Sequence, residues 1–384
     1  MLSVLLLISS LAISQNQSVA NDAAIRGIDQ STDFFPMAVW LQDPRNAQKY
    51  ADIGINLYVG LWRGPTKEQL DQLDKAGLRV VCGLNNQARA FLDRPTIAAW
   101  MHGDEPDNAQ SLGQGKGYGP PILPSKIIED YEKIRQADPS RKVILNLGQG
   151  VAWDGYYGRG VRTNHPEDYA EYAKGADIVS FDIYPAVHDK KEIAGNLWYV
   201  PRGVERLRQW TSDKKDVWCC IETTGISNEK RSPTPQEVRA EVWMAIIHGA
   251  KGIIYFAHQF KPKFIEAGLL ARPEIVSEIK SINSQIKTLA PVIHSPEVSK
   301  SEYKVESSNK DVPLAVSVRK NGGKTYVFAV SMRNGETEMK LQFTGAGDRT
   351  IRVLGEDRQI KANGGTIQDR FKGYEVHLYE ITEN

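Results

Sequence analysis

Three acidic residues, Asp104, Glu105 and Asp107, crowd the stretch WMHGDEPDN, where an apolar run ends. A further carboxylate, Glu222, closes a second apolar run, DVWCCIE, far downstream. Two carboxyl groups that face each other across a pocket can hydrolyse a glycosidic bond. One protonates the leaving oxygen, and the other meets the oxocarbenium-like transition state with negative charge. The first needs a raised pKa and the second must stay ionised. A separation of about 5–5.5 Å implies retention of configuration through a covalent intermediate.

Such groups need elements that carry them to one place. Eight short runs rich in β-branched and aromatic residues recur: FFPMAVWL, NLYVGLW, RVVCGL, IAAWMHG, KVILNLG, DIVSFDIYP, DVWCCIE and GIIYFAH. They are nearly continuous in apolar residues, as parallel strands covered on both faces are. Helical patterns separate them. In SKIIEDYEKIRQAD, Ile127, Ile128, Tyr131 and Ile134 share one face. In TPQEVRAEVWMAIIHGA, Thr234 is an N-cap, Pro235 takes the first helical position and Glu237 completes a capping box. Val238, Val242, Ala245 and Ile246 form its apolar face. This alternation predicts an α/β fold, a (β/α)8 barrel over residues 21–292, in which strand C-terminal ends converge on one site.

On that count Glu105 ends the fourth strand and Glu222 the seventh. Alternation turns Trp218, Cys220 and Glu222 inward, with Val217, Cys219 and Ile221 toward the helices. On the sixth strand it turns Ser180, Asp182 and Tyr184 inward. Placing both Asp104 and Glu105 in the site requires a bend after the fourth strand. From about residue 293 the pattern becomes seven or eight short alternating strands, with Met339, Leu341 and Phe343 on one face of TEMKLQF. The turns NGG (321–323) and NGE (334–336) read as hairpins. Residues 293–384 are therefore expected to form a small antiparallel β-sandwich.

At these residues the chain resembles the clan of retaining (β/α)8-barrel glycoside hydrolases that holds the family 5 cellulases and mannanases and the family 42 β-galactosidases. The resemblance rests on Asp104-Glu105-Pro106, Ile221-Glu222-Thr223, FDIYP and EVWMAIIHGAKGIIYF, and spans roughly residues 33–292. It implies Glu105 as acid/base, Glu222 as nucleophile and Tyr184 as the tyrosine that orients the nucleophile. Arg63 and Asn85 stand where the clan keeps polar residues at the ends of strands two and three. Asp104 replaces the Asn usual before the acid/base, so it can accept a hydrogen bond from a sugar hydroxyl but not donate one. YFAHQF lacks the Trp that many members use as a sugar platform, leaving Phe256, His258 or Phe260 for that part. Further substrate contacts are expected from Asn146 and Asp182, and from the loop aromatics Trp153 and Trp198, whose faces can stack on sugar rings.

Composition narrows the alternatives. With 384 residues, 41% hydrophobic and 25% charged, the chain can build a large core. A net charge of +1 gives no electrostatic case for nucleic acid or an anionic membrane and suits an oligo- or polysaccharide of neutral sugars. MLSVLLLISSLAIS followed by Ser18-Val19-Ala20 has the form of a cleaved signal peptide over residues 1–20, so a secreted or periplasmic protein is expected. No later run reaches the length of a membrane span, so no stable membrane insertion is expected after cleavage. Cys82, Cys219 and Cys220 lie in apolar runs and read as buried small hydrophobes. No cofactor or metal is expected. A metal-dependent hydrolase using His102, Asp104, Glu105, His188 and His258 is one competing reading, but no metal-ligand motif supports it. A non-catalytic glycan-binding barrel is another. No feature of the sequence specifies an oligomeric state.

Overall fold

The computed structural model describes residues 27–344 and 347–382. The expected signal peptide and its cleavage site lie outside the described residues. The first eight strands are β1 (Met37–Trp40), β2 (Leu57–Val59), β3 (Arg79–Gly83), β4 (Ile97–Met101), β5 (Val143–Leu147), β6 (Ile178–Phe181), β7 (Asp216–Glu222) and β8 (Gly252–Phe256). They pair in parallel in sequence order, and β8 closes on β1 through Met37 opposite Ile253. The helices are α1 (Ala47–Ala51), α2 (Lys67–Lys75), α3 (Pro124–Ala137), α4 (Asp168–Tyr172), α5 (Tyr199–Trp210), α6 (Pro235–Ile247) and α7 (Pro273–His294). The expected (β/α)8 barrel is thus present, with one departure. A 3-10 turn over Ala88–Phe91, not an α-helix, joins β3 to β4.

Alternation sorts the side chains as expected. Ala38, Trp40, Val59, Ala99, Ile144, Trp218, Cys220 and Ile254 fill the barrel interior. Val179, Phe181, Ile183, Val217, Cys219 and Ile221 join the layer between strands and helices. All three cysteines are buried and unpaired. Packing between β4 and α3 rests on a buried polar hub. Asp138 accepts from Trp100 Nε1 at 2.9 Å and from Arg141 Nη1 at 2.6 Å, while Arg141 Nε donates to Ile97 O at 2.7 Å. These bonds hold Asp138 down at about 2 against its burial, through Ser140 first and then Arg141.

Helix α6 begins as its sequence predicts, with Thr234 and Glu237 forming the capping box and Pro235 at its start. It has no solvent face along its middle, since Trp243, Met244 and Ile247 are as buried as Val238 and Val242. The reason is the second part of the chain, β9 (Tyr303–Ser307), β10 (Leu314–Asn321), β11 (Lys324–Ser331), β12 (Thr337–Phe343), β13 (Arg349–Val353), β14 (Arg358–Ala362), β15 (Thr366–Phe371) and β16 (Val376–Thr382). A five-stranded sheet in the order β10-β11-β16-β13-β14 and a three-stranded sheet β15-β12-β9 enclose their own core, which includes Val318, Val327, Met339, Leu341 and Ile351. Phe328 packs on Trp243 of α6 with ring centres 5.2 Å apart. NGG turns β10 into β11 as a hairpin, but NGE does not act as one. It carries the chain from β11 in one sheet to β12 in the other.

The connection after α7 is stitched down. Asn321 donates to Pro291 O at 3.2 Å, Arg319 to Ser295 O, and Val298 N to Val318 O at 2.8 Å. Among the described residues no helix is long and apolar enough to cross a membrane.

Candidate active site

Strand β4 ends at Met101, and the chain bends before it reaches the acidic cluster. Glu105 has φ +44°, the left-handed region that costs a non-glycine residue about 1–3 kcal/mol and clusters at functional sites. Its N–H donates to Asn146 O at 3.2 Å, which fastens the bend to the end of β5. Asp107 is the anchor beneath. It is fully buried and accepts from Gly148 N and Tyr169 Oη, each at 2.9 Å. Gly148 is needed for this closeness: a Cβ there would stand 3.0 Å from Glu105 Oε1 and 2.7 Å from Asn108 Oδ1.

The bend delivers Glu105 to Asp182, which follows β6. The two carboxyl groups lie close enough for each to shift the pKa of the other, and Tyr184 lies beside Asp182. Burial raises the pKa of Glu105 most, and the charges of Asp182 and Asp104 raise it further. Asp182 is raised by burial too, though Glu105 and Tyr184 oppose this. Both acids are thus pushed toward their protonated forms. One Asp182 oxygen, Oδ1, is buried without a hydrogen-bond partner in the protein. Asp104, exposed at the mouth, accepts from Asn146 Nδ2 at 2.9 Å, and Asn146 Oδ1 accepts from Ser180 Oγ at 2.8 Å. Asn146 thus positions Asp104. Three carboxyls, one amide and one phenol converge at the barrel mouth, and the raised pKa of Glu105 is what a general acid needs.

The structure does not bring Glu222 to Glu105 as expected. Glu222 is fully buried. Its carboxylate accepts from Ala186 N at 2.6 Å and Val187 N at 3.0 Å, both in the turn after β6, and its neighbouring acid is Glu241 of α6. Burial raises both of these acids. The physical reason for the departure is backbone satisfaction. Two buried N–H groups need acceptors, and the last side chain of β7 supplies them. Tyr184 correspondingly serves Asp182.

Other expected contacts divide. Trp153 is nearly buried in an aromatic bank with Tyr156, Tyr157 and His188, its ring centre 5.4 Å from that of His188. Tyr156 lies close enough to Glu105 and Asp182 for their charges to raise its pKa, after burial. His258 stands at the mouth beside Phe256 and Phe260 and pairs with Gln42 at 3.4 Å. Arg63 stays exposed, folded over the Trp62 ring at 5.8 Å. Trp198 is outside the site. It stacks on Tyr199, and Arg333 of the C-terminal sheets covers it at 5.0 Å, so the interface between barrel and sheets claims it. Asn85 closes a local turn by accepting from Ala88 N at 2.9 Å.

The histidines weighed as metal ligands point to separate partners: His102 to Gly175 O, His188 to Gln149 and His258 to Gln42. Among the described residues no group of three His, Cys, Asp or Glu side chains is arranged to hold a metal ion. Sequence reasoning did not find Glu241 or the role of Gly148. A signal for the first was present, since Glu241 falls three residues after Val238, on the apolar side of α6.

Residues 125–269, which include Asp182, Tyr184 and Glu222, match the glycoside hydrolase family 42 model, described as Beta-galactosidase. A search of curated proteins found no match. Among solved structures, a catalytic mutant of Gan42B, a GH42 β-galactosidase from G. stearothermophilus, superposes with a TM-score of 0.59 at 9% identity, over 94% of this chain and 100% of that one. The maltogenic α-amylase AmyB from Thermotoga neapolitana gives 0.55 at 8% identity, over 92% and 99%. AmyP in complex with maltotriose gives 0.54 at 10% identity, over 92% and 98%. At such identities the superpositions speak for the fold, and the family match adds the chemistry. The chain is a (β/α)8-barrel glycoside hydrolase of the clan that includes the family 42 β-galactosidases, with no single family assigned.

Proposed function

We propose that this enzyme cleaves β-linked O-glycosides of neutral sugars by double displacement, with Glu105 as acid/base. The observation that carries the reading is the Glu105 carboxyl, turned out of β4 by a strained bend and set beside Asp182 at the open end of the barrel, where burial and that neighbouring charge raise its pKa. Glu105 protonates the leaving oxygen while a carboxylate attacks the anomeric carbon. Glu105 then takes a proton from water, whose oxygen displaces that carboxylate and frees the sugar. Asp104 accepts a hydrogen bond from a hydroxyl of the bound sugar.

Glu222 is the proposed nucleophile. It closes β7; burial raises its pKa to about 8, and the amides of Ala186 and Val187 oppose that rise by favouring its ionised form. The turn that carries these amides must yield for its carboxylate to reach the sugar. A second reading, with Asp182 as nucleophile, is favoured by the direct Asp182–Glu105 contact. Azide separates the two. Glu222→Ala supplied with azide is expected to give the glycosyl azide of inverted configuration from an aryl β-glycoside, and Glu105→Ala the retained one. The inverted azide from Asp182→Ala in place of Glu222→Ala establishes the second reading. Chelator is expected to leave wild-type turnover unchanged.

We further propose that the protein is secreted or periplasmic, supported by the amino-terminal apolar run and Ser18-Val19-Ala20. Protein recovered outside the cytoplasm is expected to begin at Asn21. Recovery of an intact amino terminus from the cytoplasm overturns export.

A further inference from the structure

A groove leaves the carboxylate cluster on one side. Its cavity, about 730 Å³, is lined by Gln149, Tyr184, His188, Ile226, Asn228 and Lys261. That volume lies within the 300–1,000 Å³ typical of ligand sites and exceeds what one pyranose ring fills. Its inner end is Tyr184, the residue beside Asp182. Lys230 and Lys261 in its walls are matched by Asp189 and Glu229, and burial holds His188 below its ordinary pKa. The lining therefore offers hydrogen bonds without a preferred charge, which suits a neutral ligand rich in hydroxyls.

An aromatic series runs beside it from the reacting centre to solvent. Tyr184 and Phe256 have ring centres 5.1 Å apart, Phe256 and Phe260 6.2 Å, and Phe260 and Phe264 5.8 Å with planes 26° apart. His258 lies nearly parallel to Phe260 and Phe264. The two outer rings are exposed, Phe260 by 46% and Phe264 by 60%. Their backbone is nevertheless fixed. Gln259 and Ile265 exchange N–H···O bonds at 3.0 and 2.8 Å, and Phe260 N donates to Ile226 O in the groove wall at 2.6 Å. Exposed rings on a restrained backbone, continuous with a catalytic mouth, form a preorganised surface that needs a partner.

We propose that this groove binds the sugar units of a neutral oligo- or polysaccharide beyond the one being cleaved, with Phe260 and Phe264 as the stacking platform of the outermost unit. The proposal rests on the glycosidase reading, and its test is separable from it. The full chain carrying Glu105→Gln is titrated calorimetrically with β-linked galacto-, gluco- and manno-oligosaccharides from mono- to pentasaccharide. The same titrations are repeated with Phe264→Ala and Phe260→Ala added singly. Wild-type turnover of the matching aryl glycosides is measured alongside. Affinity is expected to rise at least about tenfold between mono- and pentasaccharide in one series, and each Phe variant to lose about tenfold of that gain, with the monosaccharide as internal reference. Affinity that stays flat with length, losses equal at every length, or no binding to any series overturns the groove. Length-dependent binding without wild-type turnover keeps the groove and overturns the glycosidase reading. Because both rings project into solvent, the variants are expected to melt within a few degrees of the parent, and Phe264→Ala alone decides the matter if Phe260→Ala does not fold.

Discussion

The chemistry turns on which carboxyl keeps its proton. Burial first, and then the charges of Asp182 and Asp104, raise the pKa of Glu105 well above that of a free glutamate. Replacing Asp182 with Asn removes the larger of these charges and lowers the Glu105 pKa. The alkaline limb of the kcat/KM profile is therefore expected to move to lower pH in Asp182→Asn. A limb that stays in place or moves upward sinks this account. Glu105→Gln is expected to lose about 10²–10⁴ in kcat/KM on alkyl glycosides and less on nitrophenyl glycosides, whose leaving groups need little protonation. The place of Asp104-Glu105-Pro106 at the mouth was legible in the sequence, because the acidic cluster directly follows the apolar run of β4. The rotation of Glu222 was not, because the amides that capture it come from Ala186 and Val187, brought alongside only by the closed barrel.

At the scale of elements, β4 can present Glu105 only while it is held to α3. Asp138 makes that attachment, and Arg141 is buried behind it with 1% exposure. Asp138→Ala strands the guanidinium without its anion, a loss of about 3–5 kcal/mol for breaking a buried pair from one side. Urea titration measures it, and a loss below about 1 kcal/mol contradicts the role. Since the folded-state pKa of Asp138 is lowered to about 2, its contribution is present above the unfolded value near 4 and is lost as pH falls toward 2. Strands were legible here through continuous apolar runs, and α6 through its capping box. The five-residue α4 and the 3-10 turn between β3 and β4 were less so, because short connections carry too few residues to show a period. NGE at 334–336 has the residues of a hairpin, yet which strand pairs with which is decided by the two sheets together.

For the molecule as a whole, α6 is the shared wall. It packs inward on the barrel and outward on the C-terminal sheets through Trp243 and Phe328, and Gln236 adds a bond to Gly373 O at 2.7 Å. A chain ending at residue 295 exposes the outer side of α6 to water. It is expected to aggregate or to melt at least about 5 °C below the full chain, whereas the full chain melts in one transition. Two well-separated transitions argue against the shared wall. The two-part architecture was readable from the loss of helical period near residue 293. The docking was not, because an apolar face names no partner.

The stitched connection after α7 has a consequence for handling by proteases. Residues 295–302 have several side chains in water, but their backbone is held by Arg319, Val318 and, just after β12, Thr344. Cleavage requires a peptide to leave its hydrogen bonds and lie extended in a foreign cleft, so the rate follows local opening and not surface exposure. An enzyme with this joint offers no soft cut between its halves, and digestion leaves either the whole chain or fragments of both parts.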